Sequence, residues 1–211
     1  MDEYLVPTGY GEDEFIEKKS RFIGRVWLVE TEEAALEKIQ QMKKQHYDAT
    51  HNCWAYIIKD GAVRFSDDGE PGGTAGMPII EVIKARGVVD VCVVVTRYFG
   101  GILLGAGGLV RAYAEGSKVA LDAAKVVVMH LTDRYAFDTD YSSVGKLDYW
   151  LQSQPVQVNE REFGAQVTYD ISVKHEDSEA FLKGLTSVSM GRIEPLLLDD
   201  GYQPWEEKAE E

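Results

Sequence analysis

VVVTRYFGGILLGAGGLVRAY, residues 93–113, decides how the first half of this chain folds. A valine run ends in Thr96-Arg97-Tyr98-Phe99. Five glycines (Gly100, Gly101, Gly105, Gly107 and Gly108) then fall within nine positions, and Arg111 follows. The apolar run from Val88 to Thr96 reads as a strand buried on both faces. After the glycines, Leu109, Tyr113, Gly116, Ala120 and Ala124 fall on one side of a long helix, with small residues where a helix can sit close to a sheet. Glycines between a strand and a helix have two physical readings. Their free N–H groups can hold an anion at the helix N-terminus, or they can let backbone approach backbone. Neither G-x-x-x-x-G-K-[ST] nor G-x-G-x-x-G is present, so no nucleotide cofactor is expected.

Working outward, Phe22–Val29 reads as a strand. Thr31 caps a helix over 32–45 whose apolar face is Leu36, Ile39 and Met42, with Glu32 and Glu33 in the first turn. Cys53–Ile58 and Ala62–Phe65 flank Lys59-Asp60-Gly61, a hairpin signal. SDDGEPGGTAG, residues 66–76, must be a loop, and a helix through Ile79–Ile83 stops at Gly87. The rhythm then changes. Strand material at 126–137, a helix at 142–152, strands at 156–162 and 165–173, a helix at 177–187 with Ala180, Phe181 and Leu185 inward, and a strand at 193–198 give the order βαββαβ, the ferredoxin-like arrangement. The expected organisation is α+β, with one domain over 1–127, a second over 128–204 and an acidic tail over 205–211.

The 211 residues are 45% hydrophobic and 27% charged, an ordinary globular balance, with a net charge of −14. Residues 1–125 carry 15 Lys+Arg and 19 Asp+Glu, whereas residues 126–211 carry 7 and 17. The halves are therefore −4 and −10, and the second lacks the basic face that phosphate binding needs. Cys53 and Cys92 sit in apolar runs and read as reduced core thiols. The acidic N-terminus lacks a signal-peptide layout, and no apolar run approaches a membrane span of about 20 residues, so the expectation is a soluble, cytoplasmic protein.

Several residues are candidates for chemistry. The Asp67-Asp68-Gly69-Glu70 cluster, with Asp67 and Asp68 at its head, offers oxygens to a hard cation, although the spacing is not that of an EF-hand and a solvated turn accounts for it more simply. If this loop lies near Arg97, the alternative is Arg–carboxylate pairing, which consumes the charge internally. His51 has the residue type of an acid or base but no nucleophile paired with it in sequence. Arg21 opens a strand and is available to phosphate, or covers apolar surface with its stem.

KSRF (19–22), HNCWAY (51–56), SDDGEPGGTAGMPI (66–79) and residues 93–113 together closely resemble the YigZ/IMPACT family. The resemblance covers about residues 15–125 strongly, and the remainder looks like the C-terminal domain of its bacterial members. It implies a first domain with the ribosomal protein S5 domain 2-like fold and a second that is ferredoxin-like, similar to elongation factor G modules. Eukaryotic members regulate translation by restraining a kinase of initiation factor 2, and carry an extra N-terminal domain for partner binding. The KSRF segment lies too near this chain's start to leave room for one, so that role is not expected to transfer directly. The expected function is a regulatory or binding protein linked to translation. Its partner would be RNA, the ribosome or a translation-related protein, held in a groove of Arg21, Arg97, Tyr98, Gly100, Gly101 and Arg111. The rival expectation is an enzyme acting on a small phosphorylated or carboxylated metabolite there, with Asp67 or Asp68 as metal ligand and His51 as acid or base. Fold kinship alone gives neither.

Overall fold

The computed structural model describes residues 3–205. They form two compact units, Tyr4–Val128 and the residues from Met129 onward together with Glu3. In chain order the first unit contains β1 (Glu3–Pro7), β2 (Gly11–Glu17), β3 (Ser20–Leu28), α1 (Glu32–Gln45), β4 (His51–Ile57), β5 (Val63–Ser66), α2 (Gly76–Ala85), β6 (Val91–Tyr98) and α3 (Ala106–Ala124). Its sheet runs β2-β3-β6-β4-β5, with every neighbouring pair antiparallel.

The central strand β6 is buried on both faces, as its valine run predicts. Its alternating side chains feed two cores. Val91, Val93 and Val95 join Phe22, Val26, Cys53 and Ala55 against α2 and α3. Cys92 and Val94 join Tyr56 and Val29 against α1. Both cysteines are buried and unpaired. Burial pushes the Cys92 thiol up to about 12, so it stays protonated.

Local signals set the helix ends. Thr31 caps α1 by accepting the Ala34 N–H at 3.1 Å, and Lys43 and Lys44 close it where the dipole favours cations. The buried stripe of α1 is Ala35, Ile39 and Met42, while Leu36 is 41% exposed. The face is rotated from the expected one because α1 lies on Cys92, whose sulfur approaches the Ala35 carbonyl, and a small residue is needed there.

The long helix α3 sits on β2, β3 and β6 through small residues. A Cβ on Gly24 would lie 1.9 Å from the Gly116 carbonyl oxygen, and one on Gly11 would lie 2.3 Å from the Ala124 nitrogen. Both contacts are backbone on backbone, which explains the stripe of small residues read in the sequence. Strand β2 was not anticipated. It is an edge strand whose acids face water, so it shows no apolar run.

The second unit contains β7 (Val126–Thr139), α4 (Tyr141–Leu151), β8 (Val156–Phe163), β9 (Val167–Lys174), α5 (Ser178–Ser189) and β10 (Leu196–Trp205). Its strands pair β8-β9-β7, with β10 also on β7. Tyr135, Phe137, Tyr169, Ile171, Phe181 and Leu185 fill its core. Ser178 is buried and donates to Asp133, whereas Ala180 faces solvent, so the inward stripe of α5 is 178, 181 and 185. The last strand runs later than 193–198. Ile193 is a core residue ahead of it, and Trp205, expected in the tail, ends the strand buried with its indole N–H on Thr132 at 2.9 Å. The rest of the expected tail, 206–211, lies outside the described residues. No helix among the described residues is long and apolar enough to cross a membrane.

The Gly24–Gly116 approach is testable. Gly24→Ala should destabilise the first unit by about 3 kcal/mol or more, because backbone cannot yield as a side chain can. Gly145→Ala on α4 meets nothing within 4 Å and should stabilise by roughly 0.5–1 kcal/mol. Urea midpoints followed by circular dichroism check both.

Candidate functional site

The 66–76 loop is built around its acids. Ala75 offers no side-chain cap to α2. Asp67 supplies one from upstream: its Oδ1 accepts the N–H groups of Ala75 at 3.0 Å and Gly76 at 2.8 Å, and its Oδ2 accepts that of Gly73 at 2.8 Å. Burial alone would raise the Asp67 carboxyl, but these three N–H bonds outweigh it and hold the group below its ordinary range. Asp68, at φ +45°, accepts Lys43 Nζ at 2.6 Å and the Asn52 N–H at 2.7 Å. Its carbonyl accepts from His51 Nδ1 at 2.8 Å, which places the Nδ1 proton.

Glu70, at the end of this run, reaches the sheet. Its Oε1 accepts Arg97 Nη1 at 2.7 Å and the Tyr113 hydroxyl at 2.7 Å, and its Oε2 lies 3.7 Å from His51 Nε2. Arg97 is 5% exposed and Glu70 8%. The guanidinium lies near the rings of Phe22 and Phe99, at 5.6 and 5.4 Å. Burial pushes the Tyr113 hydroxyl upward, so it remains a donor to Glu70. Burial does the same to the Cys53 thiol, which donates to the Asp67 carbonyl at 3.0 Å. The structure therefore realises internal Arg–carboxylate pairing, through Glu70 of the 67–70 cluster.

The pleat divides the residues expected in one groove. Arg97 pairs in register with Phe22 and His51 and faces α2 and α3, while Tyr98 pairs with Arg21 and faces the α1 side. The Tyr98 hydroxyl meets His46 Nδ1 at 2.8 Å and Asp48 Oδ1 at 3.2 Å. Arg21 is exposed and donates to Glu14, with Nε at 3.0 Å.

The glycines also divide. Gly100 is a packing residue: a Cβ there would lie 2.0 Å from the Lys19 carbonyl, and its N–H donates to Ser20 Oγ at 3.2 Å. Gly101 at φ +83° and Gly105 at φ +73° have open space around a Cβ, so their requirement is conformational. Arg111 is exposed on α3, with a guanidinium nitrogen 3.6 Å from a Cβ built on Gly107. It lines a cavity of about 330 Å³ with Phe15, Lys18, Leu104, Gly108 and Ala112, and with Glu17 and Glu115 at its edge.

Tyr113 was not singled out in the sequence, and Glu70 only as one member of the 67–70 acidic cluster. Glu70 was hidden among neighbouring acids, and Tyr113 read as plain core. The exposed apolar side chains of the glycine stretch were also missed, because an apolar run gives no sign of which members face water. Phe99, Ile102 and Val110 are 46%, 42% and 38% exposed, and Leu103 is 81% exposed.

Two outcomes follow from these bonds. Arg97→Leu should destabilise the first unit by about 3–5 kcal/mol, since it strands a buried carboxylate, with Glu70→Gln milder because its amide oxygen still accepts. Denaturation curves report both. Asp67 has a folded-state pKa below its unfolded value, so its contribution is present above about pH 3.9 and is lost as pH falls through the folded value. Asp67→Asn should therefore cost about 1–2 kcal/mol at pH 7. The gap to the unsubstituted protein should close when stability is followed from pH 5 to pH 2.

Residues 18–121 match the family described as Impact N-terminal domain, and residues 137–192 match a domain of unknown function, DUF1949. IMPACT family member YvyE of Bacillus subtilis (strain 168) is 39% identical over 99% of this chain and 96% of its own. IMPACT family member YigZ of Escherichia coli (strain K12) is 30% identical over 95% of this chain and all of its own. Protein IMPACT of Rattus norvegicus is 33% identical over 49% of this chain, which spans only 34% of that protein. A solved structure titled "Crystal structure of an hypothetical protein" superposes with a TM-score of 0.60 at 30% identity, covering 94% of this chain and 98% of that one. By sequence matched over nearly its whole length, the chain belongs to the IMPACT family.

Proposed function

We propose that this chain is a cytoplasmic regulatory protein linked to translation, which acts by binding rather than by catalysing a reaction, and that it docks a translation-related protein on the exposed stretch from Phe99 to Arg111. The observation that carries this reading is the contrast between two sets of groups. Asp67, Asp68, Glu70 and Arg97 are consumed by internal bonds. Phe99, Ile102, Leu103 and Val110 stand exposed beside them. Several exposed apolar side chains in one short segment, with a cation following, are the ordinary composition of a protein-docking surface. Membership of the IMPACT family supports the regulatory role that the resemblance implies.

On this reading the first domain, 1–127, has the ribosomal protein S5 domain 2-like fold, and the second, 128–204, is ferredoxin-like. The order β8-β9-β7-β10 with two intervening helices supports the latter. The metabolite-enzyme reading would need Asp67 or Asp68 to converge with His51 on a ligand. Asp67 faces the start of α2, Asp68 faces Lys43 and Asn52, and His51 faces the loop backbone.

The test is sucrose-gradient co-migration of the full chain with the ribosomal and factor fractions of a bacterial lysate. Co-migration should survive high salt, because an apolar contact releases few ions. It should fall at least about tenfold in Ile102→Asp/Leu103→Asp, whose exposed positions leave the fold intact to within about 0.5 kcal/mol. Co-migration that vanishes with salt and is unaffected by those substitutions would establish RNA binding through Arg111 and its neighbours instead. A phosphorylated metabolite that stabilises the chain by about 2.7 kcal/mol at 100 times its Kd would establish the enzyme reading.

A further inference from the structure

Beside the exposed stretch lies the cavity of about 330 Å³ between the β2–β3 turn and the outer face of α3. The two-residue turn that forms one wall is unusual. Glu17 pairs with Ser20, so Lys18 and Lys19 alone close the hairpin, with φ values of +46° and +65°. Such a turn favours Asn-Gly, and a lysine held at positive φ costs about 1–2 kcal/mol. Gly100 packs flat on the Lys19 backbone, where a Cβ would lie 2.0 Å from its carbonyl, so the glycine stretch holds the strained turn in place. The effect is to fix Lys18 at the cavity rim, across from Arg111.

The floor is apolar. Phe15 stacks on Phe22 at 5.2 Å, and Leu104 and Ala112 are 9% and 3% exposed. Lys18 and Arg111 have no ion-pair partner among the described residues, whereas Glu115 is within 3.8 Å of Lys118. Glu17 is the remaining rim charge. The cavity thus offers one apolar seat, two uncommitted cations on opposite walls and one uncommitted carboxylate. That balance selects an apolar side chain with a carboxylate next to it. A bare phosphate would leave the apolar floor unused, and a basic segment would meet Lys18 and Arg111.

We propose that this cavity is the specificity pocket of the docking surface, and that it takes an apolar anchor residue of a protein partner with an adjacent carboxylate held between Lys18 and Arg111. This rests on the reading of residues 99–111 as a protein-docking surface and names the chemistry of the partner segment.

The test is a two-dimensional NMR titration of the full ¹⁵N-labelled chain with a blocked tetrapeptide, acetyl-Ser-Leu-Glu-Ser-amide. Its lysine counterpart, acetyl-Ser-Leu-Lys-Ser-amide, inorganic phosphate and an eight-nucleotide oligouridine serve as comparisons. The glutamate peptide should shift amides of 15–18 and 104–115 and bind more tightly than the other three. Arg111→Glu should weaken it about tenfold, the loss of one charge-assisted contact. Lys18→Glu/Arg111→Glu should reverse the preference toward the lysine peptide, a gain that misfolding cannot imitate. Equal binding of both peptides, tighter binding of phosphate or oligouridine, or shifts elsewhere on the chain overturns the pocket. If the pocket variants leave gradient co-migration intact while Ile102→Asp/Leu103→Asp abolishes it, the pocket fails and the docking surface stands. If neither set affects co-migration, the docking surface itself fails.

Discussion

The contact on which the first unit depends is the buried pair between Glu70 and Arg97. A guanidinium and a carboxylate, each almost wholly removed from water, meet at 2.7 Å, with the Tyr113 hydroxyl completing the shell of the same carboxylate oxygen. Desolvating two charges costs several kcal/mol each, and only close geometry with further hydrogen bonds offsets that. The pair therefore works as a geometric specification more than as net stabilisation. It requires the 66–76 loop, the end of β6 and the second turn of α3 to occupy one arrangement. Asp67 and Asp68 set the loop so that Glu70 can reach, one by capping α2 and the other by holding Lys43 and Asn52.

That arrangement determines what remains outside. Once Arg97 is committed inward, Phe99 lies beside it and the chain must leave the sheet at Gly100, pressed on Lys19. The turn at Gly101 and the entry to α3 at Gly105 both use positive φ, so the intervening Ile102 and Leu103 are carried away from the core. Exposure of these apolar groups is a consequence of the glycine positions. The same backbone path supports the strained Lys18-Lys19 turn. Interior pairing and exterior display are thus two results of one loop geometry.

This explains what the sequence did and did not reveal. Elements with their own signals were legible: Thr31 with its acids for α1, Asp60-Gly61 for the hairpin, the valine run for β6 and the small-residue stripe for α3. Elements defined by neighbours were less so. The buried stripe of α1 passes through Ala35 because of Cys92, and β2 hides its pairing behind acids. At the site, the sequence marks segments but does not say which of their side chains share a face. Arg97 and Tyr98 are adjacent in sequence and therefore on opposite faces of the sheet, which no list of residue types conveys. The uncommitted charges at the cavity, Lys18, Arg111 and Glu17, became visible only when the other charges of the site had been given their partners.

A signature of this kind changes how loss-of-function at its residues is read. Truncating Arg97 breaks a buried pair and shifts the folding equilibrium before any ligand is considered. The same holds for Gly100, where the obstacle is backbone at 2.0 Å. A drop in activity at either position is then equally a drop in the amount of folded protein. Residues that can report on binding are those the fold does not need, and in this loop they are the exposed ones, Ile102, Leu103 and Arg111. The second unit reinforces the point from the other side. Its open sheet face sets Asp170, Asp199 and Glu160 around Arg134, so the nearest available cation there is already surrounded by acid. Around Arg134 a phosphate backbone meets acid, and the first unit brings to any contact its own few cations and its exposed apolar groups. That constraint, more than the glycine count, supports the proposal that the stretch from Phe99 to Arg111 docks a protein.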